Sequence, residues 1–571
     1  MTGSTVVNQT PVLPPRYYLE NFRVLYSTVQ AQYADLLQAD ELAFIEHYDA
    51  MDEESQCLYL RLISRRGPWF RSAKLSYPEI GDLRAPLEYL LACNWLLEAQ
   101  ALELDDVQGL FTLAELRKIF PECAESLPTT APKSALMAVL DQALSRGELT
   151  QADLARRCVA YDETVIVAPS WTEHVALLQL LFFGNRRQDL TEFVLSDLGV
   201  MRYVQYPLDR AHRLFPSREA VEEYLLIGEC ADTYWLWREQ RTMLEEEAQR
   251  DSLQQLAQLI GTVQVGYEAN RPRFHALLNR VARELERMAL YDHAMLLYCE
   301  SHRHPARERN IRVLVAQERW EEALALCETV LAQPWCEDEY DAAGRLQVKA
   351  RRALFGERAP RTKASFSERH LNIVRETGSV ERDTATALMQ QWPQVRYVEN
   401  ALMNSLFGLA YWDVIFSPVA GAFNNPFQSV PADMYAQEFS LRRRKQIAAR
   451  RDELEELPLV QTLTDTFRRV KGLQNRWVSW GLLDEALIED VLVCMPKAHL
   501  LAIWDRLLFD PGENRRGFPD LIALDPGAAR YEMIEVKGPG DALQASQKRW
   551  LNFFQSASIP ASVLWVQWID D

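Results

Sequence analysis

Several common chemistries have no foothold in this sequence. It contains no HExxH, no GxSxG and no GxxxxGK[ST], so the zinc-protease helix, the serine-nucleophile turn and the ATP phosphate loop are all missing. Nine cysteines are scattered from Cys57 to Cys494, odd in number and without a C-x-x-C pair. That excludes a zinc knuckle and fits reduced thiols in a cytoplasmic protein. No apolar run approaches the ~20 residues of a bilayer span. The longest, VALLQLLFF at 175–183, has the size of a core helix, and the first residues lack the basic and apolar regions of a secretion signal. Positive charge is also short: 62 Lys and Arg against 81 Asp and Glu leave −19. A surface coated with phosphate-binding charge is excluded, and any contact with nucleic acid must come from local patches.

Leu, Ala, Glu, Arg and Gln recur with few Val, Thr or Gly runs, and 571 residues exceed one hydrophobic core. The fold class expected is mainly α and multidomain, with one C-terminal α/β exception. Residues 1–15 read as a flexible tail. Residues 16–125 read as a helical, winged-helix-like region, where helices flank SRRGPWFRSAK with Arg65, Arg66, Arg71 and Lys74 around an aromatic pair. Residues 126–235 contain a helical pair beginning at PKSALMAVLDQAL. Residues 236–370 hold a repeat with an offset of 29, aligning Leu285 with Leu314, Tyr291 with Trp320, Ala294 with Ala323 and Leu297 with Leu326. An aromatic at a turn and a small residue three positions later resemble a tetratricopeptide-type hairpin, here a spacer between domains. Residues 371–571 form the last domain. A second basic run, LRRRKQIAARR at 441–451, includes Arg442 and Arg443; it reads equally as a DNA patch or as a solvated helix face.

The chemistry concentrates in PDLIALDPGAARYEMIEVK at 519–537. Leu521 to Leu524 read as a buried strand entered at Asp520. RYEMIEVK reads as a second strand, with Glu535 and Lys537 on one face and Ile534 and Val536 on the other. The DPGAAR turn makes the strands neighbours and brings Asp520 to Glu535. Two buried carboxylates repel unless a cation joins them. A hard divalent ion suits them, so Mg²⁺ or Mn²⁺ is expected, held by Asp520, Glu535 and the Val536 carbonyl. Lys537 would then balance charge on the attacked phosphate. A helix with an N-cap at Asp541 follows and presents Gln547 towards the site, and PASVLWVQWID reads as a third strand.

PD followed by ExK, with Glu535 fifteen positions after Asp520, is the PD-(D/E)XK nuclease pattern, and GFPDLIAL…EVKGPGDALQASQKRW resembles its VRR-NUC branch. VRYVENALMNSLFGLAYWDVIFSPVAGAFNNPFQSVPADMY at 395–435 resembles the opening helix and loop of nuclease domains in the Fanconi-associated nuclease family. That resemblance implies a further metal ligand on this helix, at Glu399, and an upstream order of DNA-binding region, SAP-like element around PKSALMAVLDQAL and tetratricopeptide-like segment. It also implies a metal-dependent, structure-specific DNA endonuclease that cuts 5′ flaps, degrades DNA 5′ to 3′ and serves interstrand crosslink repair. The partners implied are branched or flapped DNA and DNA-repair proteins, with no membrane, and the protein is expected to be a monomer in the cytoplasm, on the nucleoid when bound to DNA. Arg65, Arg66, Lys74, Arg442 and Arg443 are the expected DNA contacts. A Holliday-junction resolvase of the same superfamily and a nonenzymatic helical scaffold on DNA are the alternatives. The long asymmetric body disfavours the first, and the retained Asp520, Glu535 and Lys537 disfavour the second.

Overall fold

The computed structural model describes residues 14–65, 67–162, 165–188, 201–357, 366–374 and 377–569, and they divide into two compact units, 1–201 and 202–571. Most elements are helices, as the composition requires. Among the described residues no helix is long and apolar enough to cross a membrane.

In the first unit, apolar residues at three- and four-residue intervals build the helices Tyr17–Tyr33, Ala39–Asp49 and Glu53–Ile63. Their shared core is aromatic: Phe22 meets Tyr48 edge-on at 5.0 Å, and Tyr59 meets Trp95 at 4.9 Å. Strands β1 (Phe70–Arg71), β2 (Leu96–Glu98) and β3 (Ile166–Pro169) form a small antiparallel sheet in the order β1-β3-β2. The central strand arrives only after the helical pair Lys133–Ser145 and Gln151–Asp162. That pair therefore closes onto the segment before it. Lys133, at the start of the pair, donates to the carbonyls of Gln108 and Phe111, so its charge serves packing.

In the second unit, two helical hairpins carry the repeat: Arg271–Arg287 with Tyr291–Glu300, and Ala306–Ala316 with Trp320–Ala332. Ala289 and Glu318 occupy equivalent turn positions and both adopt positive φ, 55° and 57°. The backbone repeats with them, since Leu290 N–H donates to Leu285 and Arg319 N–H to Leu314, both at 2.9 Å. Ala294 and Ala323 are fully buried, because a small residue is what lets the paired helices approach. Two domain limits read from the sequence are corrected. The limit at 235 falls inside the helix Arg218–Gln240, whose Cys230, Tyr234 and Trp237 pack with the helices of the repeat region. The limit at 370 falls inside a strand.

That strand is β4 (Ser367–Val374); with β5 (Gln394–Tyr397), β6 (Leu521–Asp525), β7 (Arg530–Lys537) and β8 (Ala561–Ile569) it forms a five-stranded sheet in the order β4-β8-β7-β6-β5. β5, β6 and β7 are antiparallel, while β8 runs parallel to both β7 and β4. Arg369 ties three strands by donating to Glu532 at 2.7 Å and to Ser562 at 2.9 Å. One face packs Leu521, Ala523, Ile534 and Val536 against Leu388 and Trp392. The other packs Ile522, Leu524, Tyr531 and Met533 into a large helical core that contains Trp504 and Trp550.

Candidate active site

On the face carrying Ile522 and Met533, the apolar pattern stops at one end of the sheet and carboxylates take over. Leu521 pairs with Ile534, so the next antiparallel step sets Asp520 across from Glu535, and side chains directly opposite share a face. β5 ends beside them: Tyr397 pairs with Leu521, and the Val398 N–H donates to the Asp520 carbonyl at 2.8 Å. Three strand ends thus converge on one spot.

Asp520 is held by what surrounds its turn. The Trp550 indole donates to the carbonyls of Asn514 and Arg516, both at 3.1 Å, and Phe518 lies against the same ring at 4.1 Å. Asn400 accepts from the Phe518 N–H at 3.1 Å and Asn404 donates to the Arg515 carbonyl at 2.8 Å. Gly517, at φ +86°, brings this turn against the backbone of Ser546 and Gln547. The loop is fixed before the carboxylate is reached.

Asp520, Glu535 and Lys537 are all buried, at 8 %, 1 % and 8 % exposure. Asp520 Oδ2 accepts from the Val536 N–H at 2.8 Å. Glu535 Oε1 receives Lys537 Nζ at 2.8 Å and Gln547 Nε2 at 2.5 Å, while its Oε2 is buried without a hydrogen-bond partner. Burial pushes the Asp520 carboxyl up to about 6, against the Val536 N–H and with the repulsion of Glu399. Burial and then the charge of Asp520 push Glu535 up to about 7, against Lys537. The site has two buried carboxylates against one ammonium, and a buried carboxylate oxygen without a partner, which is the donor chemistry a hard divalent cation satisfies.

Glu399 is not on a helix. It follows β5 in a turn where Asn400 has φ 50°, and the helix begins at Leu402, because the preceding residues are drawn into pairing with β6. The turn places Glu399 close enough to raise both Asp520 and Glu535. Its carboxylate is engaged by the Tyr397 hydroxyl at 2.5 Å and by Asn400 Nδ2 at 3.2 Å. Among the described residues, no three His, Cys, Asp or Glu side chains are gathered closely enough to hold an ion. Asp520 and Glu535 fit a metal as a pair, with Glu399 held beside them by Tyr397 and Asn400. Tyr397 was not legible as part of the site, although its position two residues before Glu399 on a strand is the signal that finds it. Asp541 is also corrected as the helix cap: its carboxylate accepts from the Gly538 N–H, and the helix Ala545–Ser556 is capped by Gln544, reciprocally with Gln547.

The expected DNA contacts separate by burial. Arg65 is exposed, donates to the Tyr77 hydroxyl at 3.0 Å and lies over Phe70. Lys74 is exposed, 3.8 Å from Glu115. Arg66 lies outside the described residues. Arg442 bonds Asp433 at 3.2 Å and the Ala420 carbonyl. Arg443 is corrected: it is fully buried, paired with Asp433 at 2.9 Å and laid over Phe439, so it cannot meet a phosphate. Arg442, Arg444 and Lys445 are exposed basic residues of that run.

Residues 16–97 match the family description "FAN1, HTH domain" and residues 455–568 match "VRR-NUC domain". A Fanconi-associated nuclease 1 homolog of Pseudomonas aeruginosa is 37 % identical over 98 % of this chain and 98 % of its own. The chain belongs to the Fanconi-associated nuclease family. It is a DNA nuclease, and its PD-(D/E)XK domain implies dependence on a divalent metal. The homolog of Arabidopsis thaliana is 26 % identical over 95 % of this chain and 66 % of its own, and human Fanconi-associated nuclease 1 is 23 % identical over 96 % and 62 %. A crystal structure of paFAN1 bound to 2-nucleotide 5′-flap DNA with a gap superposes with a TM-score of 0.78, at 35 % identity, covering 98 % of this chain and all of that one. The VRR-NUC match begins at 455 and so leaves out β4, β5 and Glu399, which the structure joins to the same sheet.

Proposed function

We propose that this nuclease cuts DNA at a 5′ flap, continues in the 5′ to 3′ direction, and serves interstrand crosslink repair as a monomer in the cytoplasm, on nucleoid DNA and alongside other repair proteins. The observation that carries the reading is the buried set Asp520, Glu535 and Lys537 at the convergent ends of β5, β6 and β7, together with a relative of known structure bound to 5′-flap DNA.

Asp520, Glu535, the Val536 carbonyl and Glu399 are the residues that would hold Mg²⁺ or Mn²⁺. When bound, the ion supplies Lewis acidity and neutralises charge on the phosphate under attack. The chain supplies the rest. Gln547 and Lys537 both hold Glu535 Oε1, which fixes the carboxylate and leaves Oε2 without a hydrogen-bond partner. The Val536 N–H does the same for Asp520 Oδ2. The Lys537 ammonium, anchored on a rigid strand, is aimed where negative charge develops, so no side-chain reorganisation is needed as the phosphate passes through its transition state. Arg65 and Lys74 in the first unit, and Arg442 and Arg444 in the second, are the exposed candidates for holding DNA through its backbone without reading bases.

The test is cleavage of an end-labelled 5′-flap duplex, a 3′-flap duplex and a four-way junction with Mg²⁺, Mn²⁺ or EDTA. Metal-dependent incision of the 5′ flap that disappears in Asp520→Ala supports the reading. Symmetric cutting of the four-way junction instead overturns it in favour of a resolvase.

A further inference from the structure

The helix Glu337–Phe355 belongs to the repeat region, where its Ala343 and Leu346 pack with Ile311, Leu314 and Cys327. Four of its first five residues are acidic: Glu337, Asp338, Glu339 and Asp341. Acidic residues suit a helix N-terminus in any protein, but here each has its own basic partner. Glu339 is fully buried and turns back to the repeats, taking Arg307 of the helix Ala306–Ala316 at 2.9 and 2.5 Å. Glu337 turns to the nuclease domain: its carboxylate accepts from Arg506 at 2.7 Å and from Asn514 at 3.0 Å, and its N–H donates to Asp510 at 3.0 Å. Asp338 and Asp341 take Arg549 at 2.9 and 3.2 Å.

Arg549 stands on the helix Ala545–Ser556 between two residues that hold the catalytic carboxylates. Gln547, two positions before it, donates to Glu535. Trp550, next after it, donates to the carbonyls of Asn514 and Arg516 in the turn that leads to Asp520. Residues two apart lie about 200° round a helix, so this one is gripped from opposite sides, by the catalytic strand at Gln547 and by the repeat helix at Arg549. Arg549 also reaches Glu513 at 3.3 Å, and its side chain is 14 % exposed, so these bonds are screened less than ion pairs in open water. Arg506 lies over Trp550 at 5.3 Å, and the tie from Glu337 therefore ends on the same helix.

We infer that Arg549 is a positioning residue for the nuclease reaction: anchored on Asp338 and Asp341, it fixes the helix that orients Glu535 and the Asp520 turn, and so ties the end of the repeat region to the metal-binding carboxylates. The inference rests on Asp520 and Glu535 being the metal ligands. An ion pair that only held the repeats to the nuclease domain would alter stability and leave metal affinity where it is. Here one short helix carries the ties to both sides, and a rigid helix displaced at Arg549 moves Gln547 with it.

The experiment titrates Mn²⁺ into the full chain without DNA, reads the free ion by electron paramagnetic resonance, and counts the binding that Asp520→Ala removes. Arg549→Met and, separately, Asp338→Asn with Asp341→Asn are each expected to weaken that binding about 2- to 30-fold. All three substitutions together are expected to weaken it no more than the larger of the two, because both break one link. Arg549→Lys keeps a charge near the carboxylates and is expected to lose less. On a 5′-flap duplex kcat is expected to fall with KM unchanged, since Arg549 faces carboxylates and not phosphate. Thermal melting in EDTA reads folding apart from metal; if Arg549→Met does not melt cooperatively, the partly exposed Asp338 and Asp341 decide alone. Mn²⁺ affinity unchanged in these variants overturns the inference even where melting falls, and so do effects that add in the combined variant. Binding that Asp520→Ala abolishes and the other variants leave intact refutes the role of Arg549 alone; binding indifferent to Asp520→Ala refutes the metal site and the inference with it.

Discussion

Gly517→Ala is the sharpest probe of how the site is held. A Cβ at this position would lie 2.8 Å from both the carbonyl carbon and the Cβ of Ser546, and 2.9 Å from the Gln547 nitrogen. These are atoms of the first turn of the helix Ala545–Ser556 and cannot swing aside. At φ +86° an alanine also carries a conformational penalty of about 1–2 kcal/mol, and forced overpacking adds about 1–3 kcal/mol. Together they amount to about 2–5 kcal/mol, a rise of about thirty-fold to a few thousand-fold in local opening. Relief of the clash must move Ser546 and Gln547, so the 2.5 Å bond from Gln547 to Glu535 is lost with it. Gly540→Ala is the control. It too has positive φ, 89°, but open space where the Cβ would go, so it bears the conformational penalty alone. Hydrogen exchange of peptides covering 511–521 and 545–556, with flap cleavage alongside, is the assay. Equal protection and equal cleavage in the two variants would refute the close approach of the Asp520 turn to the Gln547 helix.

Asp520→Asn is expected to abolish cleavage yet raise the melting temperature in EDTA, because one of two repelling buried carboxylates is removed while the Val536 N–H keeps an acceptor; a lower melting temperature contradicts the electrostatic account. Arg443→Ala leaves Asp433 with only the more exposed Arg442, and is expected to cost up to ~3–5 kcal/mol in stability, read by thermal melting, whereas Arg444→Ala stays within about 0.5 kcal/mol. In the first unit, burial alone would raise the Glu115 carboxyl, but the Thr112 N–H and hydroxyl and then Arg71 outweigh it and hold it down at about 2. A depressed folded pKa means stability that is present above the ordinary glutamate range and lost as pH falls through about 4.5 towards 2. Glu115→Gln should therefore weaken hydrogen-exchange protection of the helix Leu113–Ile119 at pH 7 and lose its effect near pH 2; an equal effect at both refutes the ionic cap.

The part of the site legible in the sequence is the part whose signal is local. The alternation around Asp520, Glu535 and Lys537, and the apolar residues between them, state strand, face and partner within nineteen residues. β5 is four residues long and β4 is largely exposed, SERHLNIV, so neither carries the apolar run that marks a strand, and both exist because the sheet offers an edge. Glu399 was expected on a helix because 395–435 resembles the opening helix of a nuclease domain; pairing of Tyr397 with Leu521 draws the residues before it into a strand instead. The basic run at 441–451 looks uniform by composition, yet Arg443 is buried by Asp433, ten residues away, and no local pattern announces such a partner.

The order of the sheet also has a consequence for how the enzyme is made. β4 lies at the edge and can pair only with β8, Ser367 with Ser562 and Val374 with Ile569, and parallel pairing between distant segments is slow. A ribosome delivers β4 and β5 long before β6, β7 and β8, and the helices that lie between β5 and β6 in the chain are made in the meantime. Until then the nascent chain is without the strands that carry its carboxylates. Asp520, Glu535 and Lys537 enter the nascent chain late, and the sheet that aligns them cannot close before residues 561–569 exist, so a stalled or truncated product has no assembled catalytic site.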